Sequence, residues 1–563
     1  MAFEKTTREL LEDRITGLQA ERQPFEQDWE EIGRLCSPYR VNIKAVANTT
    51  RTRRSNTTSQ DTSARKAVRR LVNGMATGLT SASRPWFKLT TRDPELRDYQ
   101  PVKEWLDHTE REIYAFLAKT NYYDTTKVQY ADLGPMGVGA AVCVEHDEYG
   151  AVYHHAPVGT YHLGIDSGLR LSCFVREAQP TVGQMFEIVK GDRAKLSNQV
   201  GVAYDKGDYS TRVPVVHVIE RNTDAKGKYI SPKIRKPWRS IRWEVGNNDK
   251  KILVTESGYE SQPVTAPRWE TVGDQIYCDT SPGFDALPDM RELQLAARRA
   301  SRAMDNLVKP ALMAAAGLSR MMPSLDPGMI NFTDALTDRP IRPILDLNPN
   351  TITVIRAERQ EMEMRVNELF YADLFMAITE MEGVQPRNEQ ELFFRNEEKL
   401  TQLGPVVDRV TIEKLEVDIE RAFTILKNLG RLPPIPDELT GKPLEIEFIS
   451  VLAQAQKVSS SSNIERAARY VGFIAGMFPD AAIKFDAEQS IDEFAAASGT
   501  TPTIIRSDEV VAQMKEAMAQ QKQQEQMAAM AQPMKDAATG AKLLSETQVD
   551  DQGTSALARM LGQ

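Results

Sequence analysis

Two long stretches of helical periodicity flank a short segment crowded with prolines, which commits this part of the chain to a helical hairpin. Leu293, Ala297, Ala300, Met304 and Leu307 step by 4, 3, 4 and 3, one face of a helix. Pro288 suits the first turn of that helix and Pro310 should kink or end it. Helical character is expected from Leu287 to Ala316, and Pro288 to Lys309 alone makes about 33 Å of rod. Pro323, Pro327, Pro340, Pro343 and Pro349 then crowd 317–350, which reads as a compact loop or small β insert. From Thr351 to Met381 a second rod carries Ile355, Met362, Val366, Leu369 and Phe370 on one side, roughly 46 Å if continuous.

The rods sit late in a chain of 563 residues, long enough for several cores. Residues 1–120 read as mostly helical. Leu10, Leu11, Ile15 and Leu18 keep helical spacing, Trp29, Ile32 and Leu35 continue after Pro24, and Ala67, Leu71, Met75 and Leu79 form a further stripe. Between these, Asn42 to Ser63 reads as a polar loop, and Val102 to Ala118 as a helix. From Gly137 to Trp269 short β-branched and aromatic runs alternate with turn residues. Strands are expected at Val213–Ile219, Ile241–Val245, Lys251–Val254 and Gln275–Cys278, with a helix near Val182–Val189. A long helical region is expected from Glu389 to Leu429, a strand within 440–457, and a helix from Ser507 to Gln532 that Pro533 stops.

Charge and missing motifs narrow the function. Seventy basic against 79 acidic residues give a net charge of −9, which excludes a polybasic nucleic-acid coat as the global character. No apolar run approaches 18 residues, so no membrane-spanning helix is expected, and the N-terminus lacks the apolar core of a secretory signal. Cys36, Cys143, Cys173 and Cys278 are widely spaced without C-x-x-C, and free thiols are expected. Neither a Walker A loop nor H-E-x-x-H, G-x-S-x-G or G-x-G-x-x-G occurs. No cofactor and no enzymatic activity are therefore expected.

Three constellations remain. His146, His154 and His162, with Glu145 and Asp147, could hold a metal in a hydrolase, although strand-surface histidines explain them as well. Arg51, Arg53, Arg54, Arg65, Lys66, Arg69 and Arg70 form the densest basic cluster, opposed only by Asp61; phosphate or a neighbouring subunit would suit it. The second rod is acidic. Glu358, Glu361, Glu363, Glu368, Asp373, Glu380 and Glu382 outnumber Arg356, Arg359 and Arg365, for a net −4 between Thr351 and Glu382. That is either an ordinary solvated face or the wall of a passage that repels phosphates.

Several segments, in order, resemble one family. They are Asp61–Thr62–Ser63–Ala64 through Leu71–Val72–Asn73–Gly74–Met75 to Ser83–Arg84–Pro85–Trp86–Phe87, then Ala156–Pro157–Val158–Gly159–Thr160–Tyr161 and Val175–Arg176–Glu177. Gln385–Pro386–Arg387–Asn388, Leu403–Gly404–Pro405–Val406 and Leu429–Gly430–Arg431–Leu432–Pro433–Pro434 follow, then Leu452–Ala453–Gln454–Ala455–Gln456–Lys457 and Thr500–Thr501–Pro502. Together they resemble the portal, or head-to-tail connector, proteins of short-tailed bacteriophages.

The resemblance implies an α+β, mainly helical portal-type fold assembled as a ring, usually of twelve copies. It implies a wing over 1–283, with its β-rich part at 137–283, and a stem of two helices at 284–316 and 351–381. A clip would fill 317–350, a channel loop 382–390, a wing helix and strand 391–450, and a helical crown 451–532; 533–563 is expected to be poorly ordered. Glu358, Glu361, Glu363 and Glu368 would then line the lumen and Arg387 would touch passing DNA. The implied partners are further copies of the chain, double-stranded DNA, the major capsid and scaffolding proteins, the terminase large subunit in transit, and tail adaptor proteins. The implied location is a capsid vertex at the head-tail junction, reached from the host cytoplasm. A metal-dependent hydrolase and a DNA-binding module are the rival readings.

Overall fold

The computed structural model describes residues 6–38, 60–93 and 99–310 with small gaps, the strands of the 311–349 insert, 350–374, 403–449, and isolated stretches beyond 466. Contacts divide the chain into Met1–Ser459 and Ser460–Gln563; in the second unit 467–474 is helical.

The first helix, α1 (Thr7–Cys36), begins at a capping box between Thr6 and Glu9 and runs through Pro24. Leu11 packs on a sheet, whereas Trp29, Ile32 and Leu35 enter the main core. The expected stripe on the second helix, α2 (Ser63–Leu79), is buried as Ala67, Leu71, Met75 and Leu79. Next come α3 (Gln100–Lys119) and α4 (Tyr122–Met136). The sequence shows no stripe for α4 because it is buried on nearly every side. Gly134 lets it lie against Leu71, and Gly137 ends it in the left-handed region at φ 74°.

Two sheets follow. Strands β2 (Ala140–His146) and β3 (Gly150–Ala156) pair with the short β9 (Val264–Thr265). An antiparallel five-stranded sheet runs in the order β4 (Tyr161–Ile165), β5 (Leu171–Ala178), β6 (Val215–Arg221), β7 (Trp238–Glu244), β8 (Thr255–Tyr259). Helices α5 (Val182–Ile188) and α6 (Asn198–Asp205) cross between β5 and β6 around a small core of their own. The expected strand at Lys251–Val254 lies four residues too early, and Gln275–Cys278 is irregular; Tyr277 and Cys278 are buried there as core plugs. A strand the sequence does not announce, β1 (Phe87–Thr91), pairs with the C-terminal β13 (Leu444–Phe448). All four cysteines are buried and unpaired.

Buried titratable groups make stability depend on pH, His162 among them. His162 is fully buried, and its nearest carboxylate oxygen, on Glu177, is 4.0 Å away. Burial, reinforced by the Arg22 charge, pulls its pKa down to about 3. The unfolded histidine protonates near 6.5, so below that pH the unfolded state binds the extra proton and stability falls as pH falls. Moving from pH 7 to 5 should remove about 2 kcal/mol through this residue. Glu110, raised to about 7 by burial, works in the opposite direction, so the comparison must be with a variant. Denaturant titrations at both pH values should show a smaller loss in His162→Gln than in wild type; equal losses would refute the assignment.

Candidate functional site

The two rods are α8 (Leu287–Val308) and α9 (Asn350–Leu369), and they pack against each other. Both are shorter than the sequence suggests. The first stops at Val308, capped by Lys309 just ahead of Pro310, and Leu312–Ala314 forms a strand, not helix. That strand, β10, pairs with β11 (Ile330–Asn331) and β12 (Ile341–Pro343), so the proline-rich insert contains a small sheet. The second rod breaks at Phe370–Tyr371, where Tyr371 takes φ 53°, and helix resumes over 372–374. Fully buried Phe370 anchors the break. Residues 375–402, including Arg387 and the whole expected channel loop at 382–390, lie outside the described residues.

Burial separates the base of the pair from its far end. On α8 the buried residues are Leu287, Met290, Leu293, Gln294 and Ala297, and nothing beyond is buried. On α9 Met362 and Val366 are buried, and 353–361 are exposed or half-buried. A polar joint ties the base to the body. The Gln294 side-chain oxygen accepts from the backbone N–H of Gln60 (2.9 Å) and Asp61 (3.1 Å), and its nitrogen donates to Asp61 O (2.9 Å). The buried Asp61 carboxylate accepts from Ser63 N at the start of α2 (2.7 Å) and from Arg359 Nη2 on α9 (2.8 Å). Arg291 grips Glu31 of α1 through two nitrogens at 2.8 and 2.5 Å and holds the Glu31 carboxyl below the usual range. One aspartate thus holds both helices and the N-terminus of α2.

The candidate acids do not share one fate. Glu358, Glu361 and Glu368 are exposed on one face with Val354 and Arg365, at steps of 4, 3, 4 and 3. Glu363 is half-buried and forms an ion pair with Arg359, Oε1 to Nε 3.1 Å, so it serves the joint. Of the basic cluster, Arg51, Arg53 and Arg54 lie outside the described residues. Arg65, Lys66, Arg69 and Arg70 stand on α2, Lys66 and Arg69 exposed and the other two half-buried. Arg65 and Arg69 border a cleft with Arg40 and Lys127. The opposing Asp61 is occupied by Arg359, a pairing with no sequence signal because the partners are 298 residues apart.

The histidines scatter. His146 accepts from the backbone of Glu148 in an exposed turn, His154 is exposed on β3, and His162 is buried on β4. Among the described residues no three His, Cys, Asp or Glu side chains gather as metal ligands. No helix of the described residues is long and apolar enough to cross a membrane.

Residues 8–505 match the family model for the bacteriophage head to tail connecting protein. The chain belongs to this family. It is 35% identical over 548 residues, 97% of each chain, to the portal protein of Salmonella phage epsilon15. It is 34% identical over 543 residues, 96% of each chain, to a probable portal protein of Bordetella phage BPP-1. A chain from the neck of an empty GTA particle superimposes over 70% of this chain and 85% of its own, at 11% identity and a TM-score of 0.32, too distant to bear on the site. The expected portal role and phage head-to-tail setting therefore stand, on a fold of mixed helix and sheet.

Proposed function

We propose that the chain is one subunit of a ring, usually of twelve, through which packaged DNA passes at a capsid vertex. The carrying observation is the half-bare helical pair in a head-to-tail connecting protein. Leu295, Val308, Val354 and Met364 are exposed on α8 and α9, apolar surface that a neighbouring copy would cover. Head-to-tail contacts between identical copies close into a ring when the rotation permits. In this reading 284–316 and 351–381 are the stem, 317–350 the clip, and 1–283 with 391–450 the wing. Residues 451–532 are the crown and 382–390 the channel loop.

Glu358, Glu361 and Glu368 face the lumen in this reading, and Arg387 touches the DNA. Glu363 acts one step back by fixing Arg359. Arg51 to Arg70 meet a neighbouring copy or nucleic acid. The terminase large subunit docks on the clip during packaging, tail adaptors replace it, and capsid and scaffolding proteins hold the wing. Assembly takes place in the host cytoplasm. The ring performs no chemistry of its own; like-sign walls keep a polyanion from sticking.

Electron microscopy of purified protein should show rings with a central opening wide enough for duplex DNA. A stable monomer at high concentration would overturn the reading. The acidic face has its own test. Glu358, Glu361 and Glu368 changed together to Lys should still give rings, but rings that capture duplex DNA in a salt-sensitive way. A gel-shift titration at 50 and 200 mM salt measures this. Unchanged DNA capture by intact variant rings would remove these residues from the lumen wall.

A further inference from the structure

The five-stranded sheet carries a row of bases that nothing in the described chain neutralises. Arg176 on β5, His217 on β6 and Arg242 on β7 are direct cross-strand partners. Their side chains stand on one face, the two arginines about 9.5 Å apart by two strand spacings. Long guanidinium side chains converge easily over that span. Like charges placed this way across a sheet destabilise it unless something answers them.

The middle residue is not a third cation. Arg176 Nε donates to His217 Nδ1 at 3.1 Å, so the imidazole proton lies on Nε2 and is donated to Ser240 Oγ at 2.8 Å. His217 is buried, and burial together with the Arg242 and Arg176 charges holds its pKa well below the ordinary value. Arg176 remains charged at neutral pH even though burial and the Arg242 charge pull it down to about 10. The charged and titratable groups that interact electrostatically with the two guanidiniums are each other, Tyr259, His217 and the exposed His154 of β3. No carboxylate is among them.

Other arginines of this body are treated differently. Arg22 meets Glu26 at 2.6 Å, Arg268 meets Glu413 at 2.6 Å, Arg421 meets Glu145 at 2.7 Å, and Arg239 pairs with Glu220. Two half-buried guanidiniums on one sheet face, flanking a neutral imidazole and without an ion pair among the described residues, suit a planar or tetrahedral anion.

We propose that Arg176 and Arg242, spaced by His217 and bordered by His154, form a binding site for one oxyanion. Two sources share the chemistry: free phosphate, or a carboxylate offered by a second copy of this chain. The second source rests on the ring reading above; the first does not.

The test uses the full-length chain as dissociated subunits and as rings. Thermal and denaturant unfolding of subunits is followed against inorganic phosphate, with ionic strength held constant by sodium chloride. The unfolding equilibrium constant should fall about tenfold when phosphate reaches ten times its Kd. The response should vanish in Arg176→Gln and Arg242→Gln and persist, weakened, in Arg242→Lys. Without phosphate Arg242→Gln should unfold no more readily than wild type, because it removes an unanswered charge; this keeps the test clear of misfolding. If the carboxylate of a neighbour is the natural occupant, rings will not take phosphate and both glutamine variants will assemble at several-fold higher protein concentration. A phosphate response no greater than sodium chloride alone, or one the variants retain, combined with unaltered assembly, overturns the site. Failure of wild type to form rings would count against the ring reading and leave the phosphate measurement to decide this one.

Discussion

Gly283→Ala is expected to destabilise the chain by about 3 kcal/mol or more, the upper range for a forced overlap. Gly283 lies in the short helix α7 (Pro282–Asp285), just before α8 begins. A Cβ there would stand 1.9 Å from the carbonyl oxygen of Pro135 and 2.7 Å from its Cα. Both contacts are backbone, so no side chain can rotate away. Pro135 cannot retreat either: it sits in buried α4, and the hydroxyl of fully buried Ser281 donates to the same carbonyl at 3.2 Å. The turn would have to lift, and with it the launch angle of α8. Gly17→Ala provides the contrast. It lies in α1 with nothing within 4 Å of its would-be Cβ, and should stabilise by about 0.5–1 kcal/mol. Urea titration of both variants measures the pair. A Gly283→Ala protein within about 0.5 kcal/mol of wild type would show that this junction has room the packing denies.

The second large effect concerns a buried ion pair. Lys414 Nζ lies 2.7 Å from Asp418 Oδ2, both side chains almost without solvent contact, and 5.1 Å from the centre of the Tyr122 ring. The lysine belongs to a π-helical turn, Thr411–Leu415, and the aspartate to α10 (Glu416–Asn428). Burial raises the Asp418 carboxyl above its ordinary value even with the lysine beside it, so desolvation outweighs the attraction for this group. Lys414→Met should therefore cost about 3–5 kcal/mol by leaving that carboxylate alone. The deficit should shrink on acidification. A carboxyl whose folded pKa lies above its unfolded value gains a proton first in the folded state, so folding is favoured as pH falls toward the unfolded value. Lys414→Met with Asp418→Leu should recover most of the loss, within about 1–2 kcal/mol of wild type. The readout is the urea midpoint at unchanged slope. Equal losses in the single and double variants would mean that shape, not charge, is what the pair supplies.

Much of this was legible in the residues. The stripes on α2 and α8 could be read because each helix buries one side and wets the other, and an amphipathic period reports that condition. Pro310 marked the end of α8 to within two residues. Other elements left no local trace. α4 is buried on nearly every side, and polar Thr125, Thr126, Gln129 and Asp132 stand among its buried residues and break any stripe; Gln129 is tolerated inside because its amide donates to Gly139 O at 3.0 Å and Thr265 O at 3.1 Å. The strand at Phe87–Thr91 finds its partner at Leu444–Phe448, across most of the chain. The break at Tyr371 was hidden because Phe370, Ala372 and Leu374 stay buried and prolong the apolar pattern past the helix end.

By itself the sequence determined the order of the elements, the two rods around a proline-rich insert, and the acid excess on the second rod. These are local quantities, set by periodicity, by proline's missing N–H and by the count of charges. Only the tertiary structure decided what each charge is for. It left Glu358, Glu361 and Glu368 in solvent, tied Glu363 to Arg359, spent Asp61 on holding the helical pair, and left Arg176 and Arg242 without a carboxylate. A charged side chain's role follows from the partner within a few ångströms, and here those partners come from strands and helices far apart along the chain.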